Sequence, residues 1–204
     1  MAAAVVPDDV LDSPAVFAHG RLVVIGGDSQ RLHEEVIVSG GVLREGRFSR
    51  MNVSEVRDAL AARTTQEPSQ AVKQRLASLW SKIEAPLMQS LEARVKERTA
   101  GLEKLLSERA DKEVADITSI MKELEKRIAT ELKDPENAQL VLEFNSSERE
   151  QFERNVHSLE ARVRTIPAEI AKETAAIRRR FSNPQPRMFP VAVTFLVPAK
   201  LAHG

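Results

Sequence analysis

His33-Glu34-Glu35-Val36-Ile37 is the stretch of this chain that comes nearest to spelling a reaction. It opens like a zinc-protease helix, in which two histidines one turn apart hold the metal and the glutamate between them acts as base. The position four residues after His33 is Ile37, however, and His19, His157 and His203 stand at no ligand spacing from it. The chain has no cysteine, so thiolate metal sites and disulfides are excluded as well. His33 therefore reads as a polar residue of a strand or turn, and no metal is expected. The paired carboxylates Glu123 and Glu125, and Glu148 and Glu150, have Lys and Arg interspersed at helical spacing, which marks solvated helix faces. Gly26-Gly27 and Gly40-Gly41 match neither G-x-x-x-x-G-K-[S/T] nor G-x-G-x-x-G and read as turns. Ser, His and Asp are present, but nothing in their order assembles a triad. The expectation is a chain that is not an enzyme on its own and takes no cofactor.

One cluster remains: Arg178, Arg179 and Arg180, with Arg187 beyond a proline-rich break. Guanidinium groups suit phosphate, which makes these four the candidate nucleic-acid contacts. Cations near a helix C-terminus also stabilise its dipole. That second reading outweighs the first, because no aromatic residues interleave the arginines to support stacking.

The elements that must carry these residues follow from composition and period. Thirty Lys+Arg balance thirty Asp+Glu, which removes the basic signature of a dedicated nucleic-acid binder and any long-range pull toward anionic membranes. Charged residues make up 29% of the 204 residues and aromatics 4%, a pairing that favours long helices with narrow apolar seams over an aromatic-rich globule. No apolar run approaches the roughly 20 residues of a membrane span, and Met1 to Pro7 lacks the features of a signal peptide. A soluble, cytoplasmic protein is expected.

Along the chain, residues 1–14 read as a flexible lead-in, and 15–63 as an N-terminal β module with a short helix. Residues 69–182 read as a helical coiled-coil hairpin, and 187–198 as a C-terminal strand completing the β module. Val16-Phe17-Ala18 and Leu22 to Ile25 predict a buried strand over 15–25, closed by Gly26-Gly27-Asp28. Val36-Ile37-Val38 and Val42-Leu43 flank Ser39-Gly40-Gly41 and predict a hairpin over 32–50 with its turn at the glycines. Asn52 with Glu55 forms a capping box for a helix reaching about Arg63. Beyond the polar break at Thr64–Pro68, Leu76, Leu79, Ile83, Leu87, Leu91 and Val95 recur at helical steps. Leu102, Leu106, Ala110, Val114, Ile117, Met121, Leu124 and Ile128 continue them, with Pro86 and Gly101 as kinks or breaks. Asp134-Pro135 ends this helix, and Leu140-Val141-Leu142 and Phe144 pack in a connector. Ser147 with Glu150 caps a second helix of 36 residues, whose seam runs Phe152, Val156, Leu159, Val163, Ile166, Ile170, Ile177 and Phe181 and which bends at Pro167. Asn183-Pro184-Gln185-Pro186 stops it, and Met188 to Val197 forms a buried strand.

The expected fold class is thus α+β: a long antiparallel helical hairpin projecting from a small sheet built by segments near both chain ends. The second helix covers only the distal half of the first. The stripe Leu76, Leu79, Ile83, Leu87, Leu91 and Val95 then needs the β module, another chain or another copy, and is the candidate partner-binding surface.

Arg21 to Asp28, continuing through Arg31 to Ile37 and Gly40-Gly41, and the run from Gln151 through Glu160-Ala161-Arg162-Val163, Glu169-Ile170, Ile177 and Arg180 to Phe189–Pro198 carry a family resemblance. They resemble the region that follows the motor in bacterial Swi/Snf-type superfamily-two helicases, of the DrmD-like kind found in DISARM anti-phage systems. Every motor motif is missing, so the resemblance implies an accessory region and not ATPase activity. It implies docking on a helicase motor domain or subunit, with DNA or a partner guided along it. A self-associating structural coiled coil and a DNA-contacting module through the Arg178–Arg187 cluster are the alternatives.

Overall fold

β-Branched and small residues gather at both ends of the chain. The computed structural model, which describes residues 2–133 and 145–203, builds them into a single sheet. Its strands are β1 (Ala2–Val6), β2 (Ala15–Ile25), β3 (Arg31–Arg44), β4 (Arg47–Arg50) and β5 (Gln185–Pro198), in the order β1-β5-β2-β3-β4. β5 is parallel to β1 and antiparallel to β2, so the sheet is mixed. Four helices are described: α1 (Val53–Ala61), α2 (Gln70–Ser78), α3 (Trp80–Glu131) and α4 (Ser146–Phe181). The fold class is α+β, with a sheet drawn from both chain ends.

The first 14 residues are not a loose lead-in. Ala2 to Val6 pair in register with Thr194 to Pro198, and Val5, Val6 and Leu11 are buried. The outer edge of β1 is closed by the polar break after α1: Val5 N–H donates to the Gln66 carbonyl at 3.0 Å, and Thr64 N–H donates to the Val5 carbonyl at 2.8 Å. Val6, Leu11, Ala15, Phe17 and Leu196 then form a core with Val56 and Ala59 of α1.

The expected hairpin turn at Gly40-Gly41 is overturned. Both glycines lie inside the 14-residue β3. They are small because neighbours come close: a Cβ on Gly40 would sit 2.4 Å from the Phe17 ring and from the Val16 carbonyl oxygen, and one on Gly41 2.2 Å from the Ser49 carbonyl oxygen. The actual turn is Glu45-Gly46, where the residues opposite each other are Arg44 and Arg47. Both turn residues have positive φ, 50° and 74°, the type I′ combination that matches strand twist.

Helix boundaries show two further corrections. α1 starts as expected, with Asn52 and Glu55 exchanging capping hydrogen bonds of 2.9 and 2.7 Å. α4 is capped two residues earlier than expected, by Asn145 with Glu148 and not by Ser147 with Glu150. α3 runs unbroken through Pro86 and Gly101, while the break falls at Leu79, between α2 and α3. α4 has the expected 36 residues, with Pro167 inside it. The expected helix stop at Asp134-Pro135 and the packing of Leu140, Val141, Leu142 and Phe144 lie outside the described residues.

Two compact units result. The first comprises Met1–Ile25, Arg31–Glu103 and Pro184–Gly204; the second comprises Gly26–Gln30 and Lys104–Asn183. In the first, α1 covers the upper part of one sheet face. α2 and the start of α3 cover the other face, where Ile83, Leu87 and Leu91 are fully buried. Ser90 and Ser39, both buried, satisfy one another across that contact at 2.6 Å.

In the second unit, Leu106, Ile128, Ile166 and Ile177 are buried. Arg180 Nη1 lies 3.4 Å from Glu113 and its Nε 3.8 Å from Asp28, while the Arg109 guanidinium sits 5.9 Å from the centroid of the Phe181 ring. Gly27 closes on the end of α4: its N–H donates to the Arg180 carbonyl at 3.1 Å, and a Cβ there would meet Ser182 Oγ at 2.5 Å.

Glu45 is an L-residue with a side chain held at φ 50°. Replacing it with Asn, which tolerates that region far better, is expected to raise stability by about 0.5–1 kcal/mol in urea denaturation with an unchanged m-value.

Candidate interaction surface

The apolar stripe expected to await a partner is already occupied within the first unit. Leu76, Ile83, Leu87 and Leu91 are buried, and only Leu79 and Val95 retain partial exposure. Leu91 packs against Gly20 of β2, where an added Cβ would lie 3.2 Å from its Cδ2. The β module is therefore what covers the stripe, and each of its fully buried leucines contributes roughly 1.5–3 kcal/mol by burial. The arginine cluster is divided. Arg178 and Arg179 are exposed on the last turn of α4, Arg180 is engaged by Glu113 and Asp28, and Arg187 belongs to β5 in the first unit.

What the sheet leaves open is set by strand register. Leu43 N–H donates to the Pro14 carbonyl at 2.6 Å, toward β2, whereas the Gly40 carbonyl accepts from Met51 N–H at 3.0 Å on the opposite side. The β2–β3 register is unbroken from Val42 to His33, so the alternation carries down the strand. Ile37 and Glu35 bond to β2, while Val38, Val36 and Glu34 turn their N–H and C=O groups outward. β4 pairs only with Gly41 to Arg44. Among the described residues, no strand meets the outward groups of Glu34, Val36 and Val38.

β5 has a comparable free margin below β1, since β1 pairs only with Thr194 to Pro198. There the same alternation places Pro186 at an outward position, and Pro190 sits at the register shift beside Gly20. Proline has no N–H to offer, so this margin cannot accept a full ladder. The β3 margin carries no proline.

One face beside the β3 margin is also bare. Phe17, His19, Arg21 and Val23 of β2 point to the α1 side, but the helix covers only the upper part. His19 marks the boundary, hydrogen-bonding Thr194 at 3.1 Å. Burial, reinforced by the charge of Arg63, lowers its pKa below the ordinary 6.5, so it adds no charge here at neutral pH. Below it Val36, Phe189 and Val191 are 66%, 50% and 57% exposed. Val36 and Phe189 flank Arg21 on its two sides. An open depression of about 660 Å³ runs along the margin, lined among others by Arg21, Leu32, Glu34, Val36 and Val191.

Charges on this surface are tightly arranged. Glu34 accepts from Arg21 Nε at 2.6 Å and also pairs with Arg31; the Arg21 hydrogen bond is the main reason its carboxyl stays below the usual range. On the opposite face Glu35 accepts from Arg98 Nε at 2.5 Å and from Nη2 at 3.1 Å, tying β3 to α3. Burial works to raise the Glu35 pKa, but the Arg98 hydrogen bonds and charge outweigh it and hold it below 4.5. His33 Nε2 lies 3.6 Å from Glu35, beyond hydrogen-bonding distance. Among the described residues no group of three or more His, Cys, Asp or Glu side chains could hold a metal ion, and no helix is long and apolar enough to cross a membrane.

Sequence reasoning missed this surface because it treated β3 as two strands. The overlooked signal is the Pro186/Pro190 pair, which marks the part of β5 before Thr194 as a free margin. No protein-family model matches the chain, and no curated protein matches it.

Because the Glu35 pKa is depressed in the folded state, the Glu35–Arg98 pair adds stability that is full above the unfolded value and lost as pH falls through the lower folded one. Wild type should therefore lose more melting temperature than Glu35→Gln between neutral pH and pH values below 4.5. At neutral pH the substitution should cost about 1 kcal/mol, since the pair is partly solvated.

Proposed function

We propose that this chain is a non-catalytic accessory module of a DNA helicase or translocase, docking on the motor or a partner subunit through the free margin of β3. One observation carries the reading: a row of outward N–H and C=O groups at Glu34, Val36 and Val38 beside an exposed Val36, on a sheet whose other margin is blunted by proline. An extended segment of the partner would add a sixth strand, with main-chain hydrogen bonds giving affinity and Val36 selecting an apolar side chain opposite it. The resemblance to the post-motor region of Swi/Snf-type helicases supplies the kind of partner. Burial of Leu76, Ile83, Leu87 and Leu91 moves the expected docking surface from the helix to the sheet. Such a module works in the cytoplasm.

In this reading α3 and α4 form an antiparallel coiled-coil hairpin in the second unit. The Arg180–Glu113 pair, the Arg109–Phe181 contact and the buried Leu106, Ile128, Ile166 and Ile177 support that arrangement.

A second reading, self-association, is favoured by a separate feature of α3: Ile120 is 63% exposed, with Leu124 one turn on and Leu105 also exposed. Paired copies would cover these residues. Sedimentation equilibrium is expected to show a concentration-dependent dimer that Ile120→Glu abolishes; a monomer at every concentration sinks this second reading.

The docking reading is tested by co-expression with a Swi/Snf-type helicase motor and size-exclusion chromatography. The two should co-elute, and Val36→Pro should separate them with a stability change under about 1 kcal/mol, because the lost N–H faces outward. Ile37→Pro, which removes an N–H aimed at β2, should instead unfold the sheet. Separate elution of wild type and motor at micromolar concentration ends the proposal.

A further inference from the structure

The bare part of the sheet face is cationic as well as apolar. Arg21 stands directly opposite Phe189, and Arg187 stands two residues before Phe189 on the same face, opposite Val23. Arg31 reaches the same carboxylate as Arg21, so one Glu34 serves two guanidinium groups. Arg187 is exposed and makes no ion pair with any described residue. Three cations against one carboxylate leave a local positive surplus on a chain whose formal net charge is zero. In the middle of that surplus lies a phenylalanine, half exposed.

An aromatic ring held on a strand and bracketed by guanidinium groups has the chemistry that binds unpaired bases and their phosphates. The ring offers a stacking surface to any base, and the arginines neutralise the backbone on either side. A duplex would present only phosphates and leave the ring unused. An acidic peptide would satisfy the arginines and likewise leave the ring without a stacking partner.

We propose that this half of the sheet binds single-stranded nucleic acid, with one base stacked on Phe189 and neighbouring phosphates paired with Arg21 and Arg187. The site uses side chains on the sheet face and not the main-chain margin of β3. Arg178 and Arg179 of α4 are not among its residues. It goes beyond the docking reading and stands or falls independently of it.

The test is fluorescence anisotropy of the full chain with a labelled oligo(dT) of about 12 nucleotides, beginning at roughly 25 mM salt. Wild type should bind the single strand in preference to the matching duplex. Phe189→Leu, which keeps an apolar side chain on the strand, should weaken binding by roughly tenfold to a hundredfold with an unchanged melting curve. Arg187→Ala should lower the slope of log affinity against log salt by about 0.7. The double variant Arg178→Ala/Arg179→Ala should bind like wild type. Absence of binding at low salt, unchanged affinity in Phe189→Leu, or equal preference for the duplex would each overturn the proposal. So would displacement of the oligonucleotide by an acidic peptide at equal charge concentration. Should Phe189→Leu fail to fold, the salt slope of Arg187→Ala decides, and an unaltered slope refutes the site.

Discussion

Insertion of β5 between β1 and β2 is the constraint on which the rest of the first unit depends. Thr194 lies beside Phe17 and Phe195 beside Ala3, so the last strand joins two segments from the opposite end of the sequence. Closing so long a loop costs entropy, although only about 0.6 kcal/mol for each doubling of its length. The return is large because β5 completes the ladder of β2 and supplies Phe195, Leu196 and Val197 to the interior. Without it, β1 has no partner among the described strands and β2 loses a neighbour along its whole length. Pairing of this range is also slow to find, since local contacts cannot substitute for it.

Given that sheet, the helices are placed by which faces are greasy. From Ala15 to Ala18 β2 is buried at every position, so both faces need cover there. α1 supplies one side through Val56 and Ala59, while Ile83, Leu87 and Leu91 of α3 are buried on the helical side of the fold. Below Ala18 the strand alternates, with Gly20, Leu22 and Val24 buried and Arg21 exposed. The sequence of β2 thus states where one face stops needing a lid. Arg21 and the exposed Phe189 and Val191 begin where α1 ends its coverage.

Local signals in the sequence were legible and long-range ones were not. The strand over 15–25, α1 with its Asn52–Glu55 box and the length of α4 all follow from side chains within a few residues of one another. β1 was missed because Ala-Ala-Ala-Val-Val has no period of its own; its strand state comes from a partner some 190 residues away. Gly40-Gly41 was misread because a glycine that permits a turn and a glycine that admits a neighbour look alike in sequence. Only the nearness of Phe17 and Ser49 separates the two. The apolar stripe of α3 was seen, but which surface covers it depends on the sheet that β5 completes. The surface at Val36, Arg21 and Phe189 was invisible for the same reason, since its members come from three strands.

The two free margins of the sheet were shaped differently, and that difference bears on what each is for. An unpaired strand edge invites pairing with any other chain, so a margin with no use is ordinarily blunted. β5 meets this hazard with Pro186 outward and Pro190 at its register shift. β3 is exposed to the same solvent and the same hazard, yet offers its N–H groups at Glu34, Val36 and Val38, with a valine outermost. Its charged residues there, Arg31 and Glu34, are paired with each other, and the Glu34 carboxylate also reaches across to Arg21. A margin left in this condition beside one so plainly closed is consistent with a strand held open for a partner.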